Sequence, residues 1–379
     1  MKLHVLGSVL AILLFAGCVT TAQNTTAEGI ERGELPWETA FLNAPPGDVI
    51  RASADIKLEK EQDARILYRE CMYSFDQDGR LTWNFRIVYK ILTANGVSYW
   101  SSVSQGWDPW YQEKPVFRGR VCNPDGSQYL LKPEHFVESA EKEDDVNVFS
   151  ERRYLRAPLP NVTIGSVIEL EYTVQEKIPY FKDGMVQYVD IRGRNPMYRQ
   201  KIIIEVAAGL PFNYRIFKQS GLVPTIKNLG AVTRYSFDFE NIPPEDEFEP
   251  ARSVEEPFWP CIAFSTGKSW QTVARTYNAY IEGALKDQDF SGSLAGLKAG
   301  DVRQSAVNII KWLNKRVRYT GLELGINSIV PAQPSQILSR GFGDCKDKAT
   351  LVVGMLRQMG YKARVARHCV CGRAGRPLV

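Results

Sequence analysis

From Ala64 onward the chain settles into a period of two. Ile66, Tyr68, Glu70, Met72 and Ser74 share one register, and Arg65, Leu67, Arg69, Cys71 and Tyr73 the other. Asp76-Gln77-Asp78-Gly79 interrupts the run, and Leu81 to Leu92 resumes it with Trp83, Phe85, Ile87, Tyr89 and Ile91 on one face. Two alternating runs around a glycine-ended turn predict a β-hairpin. Asn123-Pro124-Asp125-Gly126 predicts another, joining Val116–Cys122 to Gln128–Leu131. Further strands are expected over 167–175, 185–191, 200–206, 212–218 and 232–239. Strands at this density, without amphipathic helices between them, predict an antiparallel sandwich-like or barrel domain over 50–241.

The period then changes. Ile242-Pro243-Pro244-Glu245-Asp246-Glu247 and the prolines at 250, 257 and 260 mark a linker over 242–260. Ser269-Trp270 opens a predicted helix in which Val273, Tyr277, Tyr280 and Ile281 keep helical spacing. Phe290 to Gly300 reads as a loop. Asp301 then caps a helix whose expected buried stripe is Val302, Ala306, Ile309, Ile310, Leu313 and Val317. A last helix follows Gly341-Phe342-Gly343-Asp344, with Ala349, Leu351, Val352, Met355, Leu356 and Met359 as its stripe and Gly360 as its stop.

Asp344 is placed to cap this helix and Cys345 to occupy its first position. A sulfur there faces the positive end of the helix dipole, an arrangement that favours thiolate over thiol. Lys346 and Lys348 add positive charge, partly offset by Asp344 and Asp347. A nucleophilic cysteine fits this spacing, and so does a buried structural cysteine that follows a cap.

The ends and the bulk numbers add context. Lys2 and His4 precede an apolar run from Val5 to Ala16, which is short for a bilayer span and predicts a signal peptide over 1–17. Phe15-Ala16-Gly17-Cys18 resembles a bacterial lipobox, which implies lipidation of Cys18; soluble export after cleavage at Ala22 is the competing outcome. Val19 to Gly47 is polar with prolines at 36, 45 and 46, so 18–49 reads as a tether on which Trp37 and Phe41 could dock. At 379 residues the chain has length for about two domains. A net charge of +4, from 47 basic against 43 acidic side chains, argues against a nucleic-acid partner. Seven scattered cysteines make no disulfide scaffold.

The run Tyr319-Thr320-Gly321-Leu322-Glu323-Leu324-Gly325, followed by Gly343-Asp344-Cys345-Lys346-Asp347-Lys348-Ala349-Thr350-Leu351, resembles the core of the transglutaminase-like superfamily. Within it, the pattern is similar to bacterial envelope proteins that carry an uncharacterised β-rich domain ahead of the transglutaminase-like one. Glu151-Arg152-Arg153-Tyr154-Leu155-Arg156-Ala157-Pro158 resembles that accessory domain, with no chemistry attached to it. The resemblance implies an α+β fold in which a papain-related domain, over 261–379, follows the β-rich one. It also implies Cys345 as the nucleophile that attacks an acyl carbon, a later histidine and aspartate, a peptide or peptidoglycan-like substrate, and no cofactor.

The rest of that triad is hard to find. The chain has three histidines, His4, His135 and His368, and no acidic residue after Asp347. Only Tyr361 to Ala366 remains for a strand, and the Arg/Gly/Cys-rich stretch after it resembles neither later family motif. The expectation is a domain cut short or frameshifted, with His368 serving as a base only by folding back toward Cys345. His368, Cys369 and Cys371 are spaced too tightly for zinc, so no metal is expected. Two readings follow. One is an envelope-anchored cysteine acyltransferase or peptidase that is expected to be inactive in this form because its histidine and aspartate are missing. The other is a non-catalytic binding or scaffold lipoprotein acting through its β-rich domain.

Smaller features carry less. Trp100, Trp107, Trp110 and Tyr111 read as a core-covering loop or, less simply, as a sugar- or peptide-binding cluster. Glu138 to Asp145 reads as a solvated acidic loop, with a cation site as its alternative. His135 is expected to be structural or exposed. A cysteine domain without its last strands is expected to be marginal in stability.

Overall fold

The computed structural model describes residues 34–56, 62–140, 148–244, 257 and 259–366. The predicted signal peptide, Cys18, His4, His368, Cys369, Cys371 and most of the expected acidic loop therefore lie outside the described residues. The fold is mixed α+β, with strands gathered in the N-terminal region and helices in the C-terminal one.

Two helices come first, Pro36–Thr39 (α1) and Pro46–Asp55 (α2). Each opens on a proline, whose fixed φ suits the first helical position. They occupy stretches expected to be tether and domain edge, and they are packed: Trp37 and Val49 are buried, and Glu38 meets Arg199 at 2.7 Å. Burial of one large indole outweighs the flexibility that the surrounding polar composition suggested.

Then come β1 (Ala64–Phe75), β2 (Leu81–Ile91), the helix α3 (Ala94–Trp100), β3 (Ser102–Trp107), β4 (Val116–Cys122) and β5 (Gln128–Leu130). They are followed by β6 (Val137–Ala140), β7 (Val148–Ser150), β8 (Arg153–Pro158), β9 (Val167–Gln175) and β10 (Val186–Asp190). The body ends with β11 (Met197–Ala207), β12 (Asn213–Phe217), β13 (Thr225–Asn228), β14 (Val232–Ile242) and β15 (Cys261–Ser265). An eight-stranded sheet runs β13-β14-β11-β1-β2-β9-β4-β5. The β1–β2 hairpin turns at Gly79, where φ is +78°, as the sequence pattern predicts. All neighbours in this sheet are antiparallel except β1 and β11, which pair in parallel with Cys71 opposite Ile202.

Two three-stranded sheets, β10-β15-β12 and β3-β8-β6, share cores with the large one. Phe264 of β15 meets Tyr73 and Phe75 edge-on, with ring centres 5.2 and 6.0 Å apart. β15 lies in the stretch expected to begin the second domain, yet it pairs with β10 and β12. All five of its residues are buried, so it shows no period and its short apolar run could not be assigned from spacing. Around β1, β2, β9 and β4 a charged ladder is also buried or half-buried, apart from the exposed Arg118. Arg86 bonds Glu70 and Glu171, Arg118 shares Glu171, and Arg120 pairs with Glu169. The segment between α1 and α2 comes down on it, with Leu42 N donating to Glu169 at 3.1 Å and Arg86 over the Phe41 ring.

The C-terminal region contains α4 (Trp270–Leu285), α5 (Ser291–Leu294), α6 (Val302–Arg316), β16 (Arg318–Tyr319), β17 (Gly321–Glu323), α7 (Pro334–Arg340), β18 (Phe342–Gly343) and α8 (Cys345–Gln358). Ser269 caps α4 and Asp301 caps α6 through their side-chain oxygens, as expected. The core joins Ile309, Leu313, Ile337, Leu351 and Met355 with Phe290. Gly354 lets α8 approach closely, since a Cβ there would stand 2.7 Å from Leu285 and Phe290 atoms. Val302 and Ile310, expected in the buried stripe of α6, are exposed instead, because no element described covers that side of the helix. No helix among the described residues is long and apolar enough to cross a membrane.

Candidate active site

Cys345 is presented by a turn in which nearly every residue has a structural task. α7 ends at Gly341, whose φ of +73° is the left-handed conformation a helix C-cap needs; its amide returns to Ile337 O at 3.0 Å. The chain then forms β18, which pairs in parallel with β16, Arg318 opposite Phe342 and Tyr319 opposite Gly343. Arg318 N donates to Gly341 O at 2.9 Å and Thr320 N to Gly343 O at 3.1 Å. A side chain at Gly343 would place its Cβ 3.0 Å from Asp347, which explains the glycine there.

Asp344 caps α8, accepting from Lys346 N at 3.1 Å and Asp347 N at 3.2 Å, and its carboxylate also holds Lys346 Nζ. Those bonds satisfy two of the four free amides of the first turn. The Cys345 amide is left over, beside its own side chain, where it could donate to an oxyanion. Cys345 itself is exposed, and its sulfur has no hydrogen-bond partner among the described residues.

Asp347 behaves unlike the surface charge its neighbours suggest. It is 2% exposed, accepts from Ala332 N at 2.9 Å and binds Arg340 Nη2 at 2.6 Å. Burial pushes its carboxyl above the ordinary range, against the Ala332 bond and the Arg340 charge. It ties α8 to α7 and to the loop before it. The spacing of the sequence contains no signal for that role beyond a single acid between two lysines.

An open groove of about 610 Å³ runs along α8, lined by Ile310, Leu313, Lys348, Ala349, Val352 and Leu356 among others. Of its lining residues, Lys348 and Ala349 stand nearest to Cys345 along α8, one helical turn away. The residues 362–366 form its other wall.

Of the site residues expected from sequence, only Cys345 is among those described; Cys18 and His368 lie outside them. His135, the one described histidine, stands on an exposed turn where its Nδ1 accepts from Lys132 N at 3.2 Å. Among the described residues no group of three metal-ligating side chains converges. Trp107 is buried, whereas Trp110 and Tyr111 are half-buried and cluster with Tyr180 at ring distances of 4.7 to 5.8 Å.

One arrangement had no precursor in the sequence reading. β17 pairs in parallel with β7 of the β-rich region, Gly321 opposite Val148 and Glu323 opposite Ser150. The adjoining Glu151 accepts from Gly325 N at 2.6 Å. The segment Glu151 to Pro158, to which no chemistry could be attached, thus begins with a contact to the cysteine domain.

Comparison with known proteins finds two families along the chain. Residues 77–246 match a family described as a domain of unknown function, DUF3857, and residues 290–375 match the transglutaminase-like superfamily. Among solved structures, a candidate protease from Parabacteroides distasonis superposes with a TM-score of 0.62 at 15% identity, covering 79% of this chain and 59% of that one. The chain thus spans little more than half the length of that protein, and the likeness is one of fold. An M1 zinc metallopeptidase from Deinococcus radiodurans (TM-score 0.28, 10% identity, 54% of this chain and 42% of that one) is too distant to carry an argument. A candidate nutrient-binding protein from Legionella pneumophila (TM-score 0.25, 11% identity, 79% and 95%) is equally distant. No curated protein matches the chain.

Proposed function

We propose, from the match of residues 290–375 to the transglutaminase-like superfamily behind a domain of unknown function over 77–246, that the chain is a cysteine acyl-transfer protein of the peptidase or transglutaminase type with Cys345 as nucleophile. The observation that carries the reading is an exposed sulfur at the first position of a capped helix, beside a main-chain amide that the cap leaves free. In the reaction, Sγ bonds to the acyl carbon and the leaving group departs with the electron pair of the broken bond. The resulting thioester passes to water or an amine, regenerating the thiol. A nucleophile of this kind needs an imidazole base and, as a rule, an acid to orient it. In our reading both come from outside the described residues.

A peptide or peptidoglycan-like acyl donor suits the apolar groove that starts one turn from Cys345. Location at the bacterial envelope, with Cys18 lipidated and the body facing the periplasm, is supported by the signal-like run Val5 to Ala16 and the Phe15-Ala16-Gly17-Cys18 motif. Replacing Cys18 by Ala in the expressing cell should release the protein from the membrane fraction; retention there counts against the anchor.

The experiment for the chemistry is acylation by p-nitrophenyl acetate, read by intact mass and peptide mapping. One acetyl group on Cys345, lost in Cys345→Ser, is expected. Modification scattered over lysines, or none at all, contradicts the reading. The partly exposed aromatic cluster of Trp110, Tyr111 and Tyr180 favours a second reading, a binding protein that works through its β-rich domain. That reading is preferred if Cys345 reacts with iodoacetamide at pH 7 no faster than free cysteine.

A further inference from the structure

We infer that Glu151 is a positioning residue for Cys345. The β-rich domain fixes the nucleophile's turn through the Glu151–Gly325 hydrogen bond and the β7–β17 pair. This rests on the reading of Cys345 as the nucleophile.

The path is short and made of backbone. β17 begins at Gly321, one residue after Thr320, and Thr320 N is bonded to Gly343 O, two residues before Cys345. β16 and β18 are two residues each, far below the length at which a strand pair is stable alone. They need an outside anchor, and β17 carries one. Its partner β7 is held in turn, because Arg152, next to Glu151, pairs with Asp108 at 2.8 Å and donates its amide to Ser150 Oγ at 3.0 Å. Packing at the seam is close: a Cβ on Gly321 would stand 3.3 Å from Val148 Cγ2. Gly325 has φ +56°, so the amide that Glu151 accepts comes from a turn that glycine makes accessible.

Thr320 supports the same assignment. It is 1% exposed, and its hydroxyl has no hydrogen-bond partner among the described residues. Its own side chain therefore does not fix it, and its position is set by the Gly343 bond on one side and the β7–β17 pair on the other. Burying a hydroxyl without a partner is unfavourable, so the segment is held against a penalty.

The test uses the full chain as wild type, Glu151→Ala and Glu151→Gln, followed by hydrogen exchange and by Cys345 alkylation across pH. In Glu151→Ala the amides of Gly325, Thr320, Lys346 and Asp347 should exchange faster by about tenfold, the size of one lost charge-assisted bond. Those of Ile309, Leu313, Leu351 and Met355 should stay as in wild type, which separates loosening from unfolding. The alkylation rate of Cys345 should change by about threefold or more relative to wild type, and Glu151→Gln, which keeps an acceptor oxygen, should recover most of it. Faster exchange confined to Gly325, with Thr320, the cap amides and the alkylation rate unmoved, overturns the inference. Failure of the functional reading looks different: wild-type Cys345 would then be no more reactive than free cysteine, while the exchange data still decide the role of Glu151.

Discussion

The four free cysteines among the described residues divide between two regions that treat sulfur in opposite ways. Cys71, Cys122 and Cys261 lie in strands of the β-rich body and are buried, whereas Cys345 is exposed at the head of a helix. Burial pushes the thiols of Cys71 and Cys122 up to about 11, outweighing the lowering effect of the neighbouring Arg69 and Arg120. A strand places its side chains in a core; a helix start places one beside unpaired amides. Local backbone, more than residue type, separates a filler from a reagent. The same contrast holds for carboxyls. Glu176 in the body and Asp347 in the turn are both buried acids with raised pKa, but Glu176 accepts backbone amides without a cation, while Asp347 is paired with Arg340.

The largest effect should come from breaking the turn. Asp347→Ala removes the acceptor of Ala332 N and the partner of Arg340, and we expect a loss of about 3 kcal/mol in the stability of the cysteine domain. Urea unfolding followed by the fluorescence of Trp312 and by exchange in α6 and α8 would measure it. An unchanged midpoint would mean that Asp347 is not the brace described here.

A somewhat smaller effect belongs to the body. Burial raises Glu176 to about 7, so between its unfolded value and that point the folded chain binds the extra proton. Stability from this group is therefore present at low pH and falls as pH rises from about 4.5 to 7, by on the order of 2–3 kcal/mol. Asp347 contributes with the same sign. Glu176→Gln should flatten that part of the curve when urea midpoints at pH 5 and 7.5 are compared. If the variant keeps the wild-type slope, the assignment fails.

The smallest effect is at the cap. Asp344→Ala should cost about 1–2 kcal/mol and speed exchange of Lys346 and Asp347 amides, with Asp344→Asn close to wild type because asparagine also caps. Equal loss in both variants would point to the Lys346 ion pair instead of the cap.

These regions were not equally legible in the sequence. The β1–β2 hairpin, the caps at Ser269, Asp301 and Asp344 and the placement of Cys345 could all be read, since each depends on neighbours within a few residues. The parallel pairing of β1 with β11 and the β7–β17 seam could not, because both join segments more than a hundred residues apart. A three-residue strand also has no measurable period. The prolines at 36 and 46 were visible but fit a linker as well as a helix start; burial of Trp37 decided between them. Glu169 looks solvated in an alternating strand, and it is the Arg120 pair and the segment between α1 and α2 that make it interior.

The proposed chemistry requires that Cys345 be the open thiol of the four. Limited iodoacetamide labelling of the native full chain at pH 7, resolved by peptide mass spectrometry, measures this directly. Cys345 should be modified first, with Cys71, Cys122 and Cys261 slower by about a hundredfold or more until urea makes them comparable. Native labelling that reaches the three strand cysteines as fast as Cys345 would contradict it.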